Sequence, residues 1–251
     1  MPTQRPKLSV IIITLNEVEN IQACLESVAW ADEIVVVDSG STDGTQSVCE
    51  QMGAKVIVNS DWQGFGFQKN LALQHASGDW VLSLDADERI SPELRSLIQS
   101  TLGAPSADGY LLPRQAYFLG TAMRHGGWWP DYVLRLFRRE AGSFSPVLVH
   151  ETVQVSGNVG KLREPIIHYS YVSLEQLLGK INNYSSAGAR QAHAKNKRGG
   201  LGKALARGAW AFFRAYCLRA GFLDGTAGLI AAIGKGEETY YRYLKLSFLA
   251  Q

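Results

Sequence analysis

Two rhythms alternate over the first 85 residues, and that alternation limits the fold more than any other feature of the chain. Lys7–Leu15 (KLSVIIITL), Glu33–Asp38 (EIVVVD), Ala54–Asn59 (AKVIVN) and Trp80–Leu84 (WVLSL) are short, nearly continuous apolar runs. Runs of this kind belong to strands covered on both faces. Helix-spaced segments separate them. Asn16 is placed to cap the first, with Glu19 at its third position and Val18, Ile21, Cys24, Leu25 and Val28 on its apolar face. The second covers Thr45–Met52 and stops at Gly53; the third covers Phe67–Ala76 and ends at Gly78. A βαβαβαβ series predicts an α/β fold, a Rossmann-type and mainly parallel sheet with right-handed crossovers.

Ligands of such sheets bind just past the carboxyl ends of the strands. Asp38 stands at one such end, followed by the turn SGSTDGT; Asp85 and Asp87 stand at another, in WVLSLDADE. If the chain stays extended there, the two carboxylates point to the same side. Carboxylates aimed together repel unless a cation or a shared proton holds them. Mg²⁺ or Mn²⁺, bound through one or two carboxylates and a substrate diphosphate, meets that need. The first β–α turn lacks G-x-G-x-x-G and the chain has no GKS or GKT, which disfavours a nicotinamide site and excludes a P-loop.

Beyond Ser91, which caps a short helix with Pro92 and Glu93 behind it, the pattern loosens. Short strands are expected at Gly109–Pro113, Val133–Phe137, Val147–Val155 and Pro165–Tyr169, with HGGWWPD among them as an aromatic loop. From Ser173 the pattern is helical: Leu174–Lys195, Lys203–Ala220, a short helix near Thr226–Ile233, and Gly236–Phe248. The expected organisation is a catalytic domain over residues 1–172 and a helical, basic region over 173–251. Between Gln176 and Leu223 stand nine basic residues and no acid, although the whole chain carries only +2. Trp210, Phe212, Phe213, Tyr216 and Phe222 are interleaved with those bases. That combination suits a segment lying on an anionic membrane surface; no nucleic-acid motif accompanies it. The start lacks a secretory pattern and no clean apolar run of spanning length exists, so a spanning helix is not expected. Cys24, Cys49 and Cys217 are widely spaced and read as reduced, buried thiols.

An early Asp at a strand end, a Ser/Thr/Gly turn beside it and a later DxD together describe a nucleotide-sugar site. Groups near Thr14, Asn16 and Glu17 line the base pocket, Asp38 accepts from base or ribose, and Asp85, Ala86 and Asp87 face ribose and diphosphate. Arg135, Arg138 or Arg139 can assist the departing diphosphate, and Trp128 and Trp129 offer a platform for an acceptor sugar. SVIIITLNEVENI, IVVVDSGSTDGT and VLSLDADE resemble glycosyltransferase family 2, of GT-A fold. DWQGFGFQKNLAL, GGWWPDYVLRLFRR, VHETV and FFRAY…GFLDGTAGL extend the resemblance to lipopolysaccharide core beta-1,4-glucosyltransferases. The resemblance implies an inverting, metal-dependent transfer of a hexose, glucose foremost, from a UDP-sugar to a lipid-anchored core oligosaccharide. The place would be the cytoplasmic face of a bacterial inner membrane. By it, Asp38 binds nucleotide, Asp85 and Asp87 serve ribose and metal, Arg135 serves the acceptor side, and Lys69 and Asn70 stand near the diphosphate or ribose. An inverting transfer needs a carboxylate base on another segment; Glu151 and Asp131 are the candidates, His150 is placed to orient the site or contact phosphate, and His168 to reach the diphosphate. Polyprenyl phosphate, which needs no base, is the alternative acceptor.

Overall fold

The computed structural model describes residues 5–145 and 152–249; His150, Glu151 and most of the expected Val147–Val155 strand lie outside them. The chain forms two compact units. One comprises the chain up to Arg114 together with Asp131–His168, the other Gln115–Pro130 together with Tyr169 onward. The fold is an α/β, Rossmann-like GT-A arrangement of a mixed sheet followed by a bundle of helices.

The alternating half of the chain folds as its two periods dictate. Strands β1 (Leu8–Thr14), β2 (Glu33–Asp38), β3 (Lys55–Val58) and β4 (Trp80–Asp85) alternate with helices α1 (Val18–Val28), α2 (Thr45–Gln51) and α3 (Phe65–His75). The four strands are parallel, in the order β3-β2-β1-β4. Side chains alternate along β1. Leu8, Val10 and Ile12 pack with the buried faces of α1 and of α4 (Pro92–Gly103), while Ile11 packs with Val35, Ala72 and Val81 on the α3 side. Burial on both faces is why the runs lack polar alternation.

Past β4 the sheet changes direction. β5 (Glu88–Ile90), β6 (Gly109–Phe118), β8 (Asp131–Arg138) and β12 (Ile166–Tyr171) continue it in the order β4-β8-β6-β12-β5. β8 runs antiparallel to both β4 and β6. The sheet is therefore mixed, and Pro113 sits within β6 rather than ending it. β11 (Val159–Lys161) pairs with β6, and β9 (Gly142–Phe144) with β10 (Val153–Val155) makes a separate hairpin.

In the second unit, β7 (Thr121–Ala122) pairs with the end of β6 at Tyr117. Helices α5 (Leu174–Ala194), α6 (Leu201–Phe213) and α7 (Gly225–Leu249) follow, with a π-helical stretch Arg214–Leu218 and a 3₁₀ turn Gly221–Asp224 between the last two. The two helices expected from Thr226 to Phe248 are one of 25 residues. Its glycines do not break it because they serve packing: a Cβ on Gly236 would lie 3.2 Å from the Gly208 carbonyl oxygen of α6. A side chain there would crowd the facing backbone, so glycine favours the close approach. The Lys245 ammonium donates to the Asn182 carbonyl and to the Ser185 and Ser186 hydroxyls, tying α7 to α5. Cys217 is exposed, unlike Cys24 and Cys49, because it lies in the π-helical stretch, none of whose residues is buried. Among the described residues no single helix is long and apolar enough to cross a membrane. The pair Leu201–Leu218 and Gly221–Leu249, bent by 72°, passes the test of length and hydropathy only together.

Candidate active site

The carboxyl ends of three strands meet in register: Thr14 is opposite Asp38, and Ile13 opposite Asp85. Asp38 is fully buried. Its carboxylate accepts from the Thr14 hydroxyl at 2.9 Å, the Gly40 and Ser41 amides at 3.0 and 2.8 Å, the Ser41 hydroxyl, and Gln46 Nε2. Burial alone would raise its pKa, but the hydrogen bonds from Ser41, Thr14 and Gln46 outweigh it and hold the carboxyl below the usual range. Asp38 thus braces the turn that follows β2. Asn16 does not cap α1; it takes a left-handed conformation, φ 55°, and its side chain accepts from the Thr42 amide. Helix α1 starts after Glu17 instead. The Glu17 amide donates to Thr45 Oγ1, so the turn after β1 and the turn after β2 are laced together.

At Asp85 the strand ends, and Ala86 and Asp87 form a turn into β5. The extended alternation expected across DAD is absent because Ala86 and Asp87 form a turn, and the two carboxylates take different partners. Asp85 meets Lys69 Nζ at 3.0 Å and the Arg135 guanidinium. Asp87 Oδ2 lies 3.2 Å from His168 Nε2. Arg135 Nη2 also reaches Glu88 Oε1 at 2.9 Å, and Glu88 carries no exposed side-chain surface. Arg114 stands 3.7 Å from Glu88 and 2.6 Å from Asp131. One ionic chain therefore runs Lys69–Asp85–Arg135–Glu88–Arg114–Asp131, with three acids and three bases. Burial opposes ionisation of Asp85, but Arg135 and Lys69 overcome it and hold the carboxyl well below the usual range. Burial pushes Glu88 the other way; Arg135 counters it and the Asp85 charge adds to it.

Glu88, Arg89 and Arg114 were given no role by sequence reasoning. Arg89 donates to the carbonyls of Ala86 and Asn20, clasping the DAD turn to the start of α1. The signal for Glu88 and Arg89 was their place directly after DAD. Asn70 makes paired bonds with the Phe144 backbone, both 2.9 Å, and so braces β9. Arg138 and Arg139 fall at the opposite end of the strand: Arg138 is in register with Trp80, and five residues of β4 place it about 16 Å from the Asp85 position. Trp128 and Trp129 belong to the second unit, where Trp128 packs against Phe118 and Tyr171.

The family model described as "Glycosyl transferase family 2" matches residues 9–154. The chain belongs to glycosyl transferase family 2. The family 2 match covers both the Asp38 turn and the ionic chain, and makes the protein a glycosyltransferase. A lipopolysaccharide core biosynthesis glycosyltransferase, LpsC of Rhizobium meliloti, is 32% identical over 94% of this chain and 93% of its own. An uncharacterized glycosyltransferase of Rickettsia felis is 33% identical over 96% of this chain and 89% of its own. Among solved structures, S. aureus TarS 1-349 in complex with UDP superposes with a TM-score of 0.51 at 19% identity, covering 98% of this chain and 92% of that one. At that identity the likeness is one of fold.

Among the described residues no cluster of three or more His, Cys, Asp or Glu forms a ready-made metal cage. Asp87 Oδ2 and His168 Nε2 instead pair with each other at 3.2 Å. Asp85 differs, since both of its oxygens already face cationic nitrogens.

Proposed function

We propose that this protein is an inverting hexosyltransferase, moving a sugar, glucose foremost, from a UDP-sugar to the inner core of a lipid-anchored envelope oligosaccharide. The observation that carries it is the ionic chain at the carboxyl end of β4, with Asp87 and His168 beside it, in a family 2 chain. The relation to a lipopolysaccharide core transferase supports the acceptor class. Thr14, Asn16 and Glu17 lie along the laced turns and line the nucleotide pocket, which Asp38 shapes from within. Lys69 and Arg135 fix Asp85 toward the ribose, with Ala86 at the turn. Asp87 and His168 would hold the divalent cation, which when bound neutralises charge growing on the departing diphosphate. The base that takes the acceptor proton is Glu151, with Asp131 as the alternative; Trp128 and Trp129 contact the acceptor. Release of UDP from UDP-glucose in the presence of purified lipid-anchored core saccharide tests the reading, with a screen of UDP-hexoses beside it. The expected result is turnover that depends on acceptor. No turnover with any UDP-hexose on such acceptors contradicts it.

The helical unit attaches the enzyme to the cytoplasmic face of a bacterial inner membrane. Trp210, Phe213, Leu218 and Phe222 are all exposed, and near an anionic leaflet each base adds roughly 1 kcal/mol at best. Flotation with phosphatidylglycerol vesicles is expected to exceed flotation with neutral vesicles and to weaken with salt. Changing Lys195, Lys197, Arg198, Lys203 and Arg207 to Gln is expected to reduce it. Equal flotation of wild type and variant would assign those charges elsewhere.

A further inference from the structure

The helical unit holds a cavity of about 400 Å³ that is open on one side and lined entirely by its own residues. That volume is within the usual range of small-molecule sites. Its buried lining includes Phe118, Met123, Leu177, Ile181, Ala231 and Ala232, and no buried lining residue carries a polar side chain. The exposed lining differs. Arg214 and Arg219 stand there with no side-chain hydrogen bond or ion pair to a described residue, whereas Lys235 is paired with Glu238 at 3.0 Å. The Asp224 carboxylate accepts from the Arg124 and His125 amides and meets His125 Nδ1, fixing the loop that carries Gly126, Gly127 and Trp128 into the wall. The wall is therefore preformed.

An apolar interior under two guanidinium groups sorts ligands by chemistry. A sugar or nucleotide buried against Phe118, Leu177, Ile181 and Ala231 would lose its hydrogen bonds to water and gain none from those side chains. A hydrocarbon chain loses nothing and is stabilised by burial. Guanidinium groups pair with phosphate oxygens at the exposed end. The stretch that contributes Arg214 and Arg219 also bears Trp210, Phe213, Leu218 and Phe222, exposed by 44–60%, so an apolar surface adjoins the cationic lining.

We infer that this cavity binds the hydrocarbon chain of a phosphate-bearing lipid, with Arg214 and Arg219 on the phosphate. The site deepens the membrane reading given above and rests on it: the unit engages a single lipid molecule in addition to a surface.

Calorimetric titration of the full chain with dodecyl phosphate below its micelle concentration tests this, with dodecyl maltoside and inorganic phosphate as comparison probes. One dodecyl phosphate is expected to bind, more tightly than either comparison probe. Ala231→Phe, which fills the cavity, is expected to weaken binding about tenfold, equivalent to losing roughly two buried methylenes. Arg214→Gln is expected to weaken it about threefold, the worth of one partly exposed ion pair. Should Ala231→Phe fail to melt cooperatively, Ile181→Phe takes its place. Inorganic phosphate binding as tightly as dodecyl phosphate, or a cooperatively folded Ala231→Phe with unchanged affinity, would overturn the site. Flotation of Ala231→Phe with phosphatidylglycerol vesicles is expected to match wild type, since the exposed face is intact. Loss of flotation by wild type itself would defeat the membrane reading separately.

Discussion

Arg135→Met is expected to destabilise the protein by about 3–5 kcal/mol, the usual cost of removing one partner from a buried ion pair. The guanidinium bonds both Asp85 and Glu88, and Glu88 has no exposed side-chain surface. Without Arg135 the Glu88 carboxylate is left in the interior with the Asp85 amide at 3.0 Å and Arg114 at 3.7 Å, and no closer cation among the described residues. Urea unfolding checks it through a lower midpoint at unchanged slope. Glu88→Leu in the same chain is expected to recover part of the loss, because the stranded charge goes with it. The acid limb also changes. Asp85 contributes stability that is full above its ordinary value of 3.8 and is lost as pH falls through its depressed folded value. Arg135→Met removes the larger of the two charges that depress it, so that limb flattens. A loss below about 1 kcal/mol, the range of solvated surface pairs, would show that water screens the pair.

Glu151→Gln is expected to lower kcat by about 10²–10⁴-fold, the worth of a positioned general base, while UDP affinity stays. Asp131→Asn is expected to do less to the chemical step. Asp131 Oδ2 already accepts from Arg114 Nε and Nη2 at 3.0 and 2.6 Å, so that oxygen is engaged. Steady-state kinetics with a UDP-hexose and core acceptor, joined to UDP titrations, separate the two. A large loss in Asp131→Asn with a mild one in Glu151→Gln would exchange the roles. No loss in either would favour polyprenyl phosphate, which is already a nucleophile.

The parallel half of the fold was legible because continuous apolar runs and helix-spaced segments alternate cleanly from Leu8 to Asp85. The ends of the elements were less so. Asn16 has the chemistry of a helix cap, yet its side chain binds the Thr42 amide, a partner 26 residues away that no local pattern reveals. The pair Asp85 and Asp87 marked the site, but their separation onto different partners depends on Lys69, Arg135 and His168, each from another element. Glu88 is a further case: one acid after a strand reads as a surface residue until two arginines from β6 and β8 are placed beside it. The excursion of Gln115–Pro130 into the helical unit was unread for the same reason, since Asp224 lies about a hundred residues from the His125 it fixes. In α7 the glycines suggested a break because propensity alone was visible, and the contact with Gly208 was not.

The central claim is that Asp87 and His168, beside the Lys69–Asp85–Arg135 chain, receive a nucleotide diphosphate with a divalent cation. Calorimetric titration of UDP, with Mn²⁺ and with EDTA, tests it most directly in wild type and in Asp87→Ala. The prediction is that Mn²⁺ tightens UDP binding to wild type by about 5–150-fold, the usual range of coupling between two ligands, and that Asp87→Ala loses that gain while melting as wild type does. Equal UDP affinity and full turnover of wild type in EDTA would contradict it.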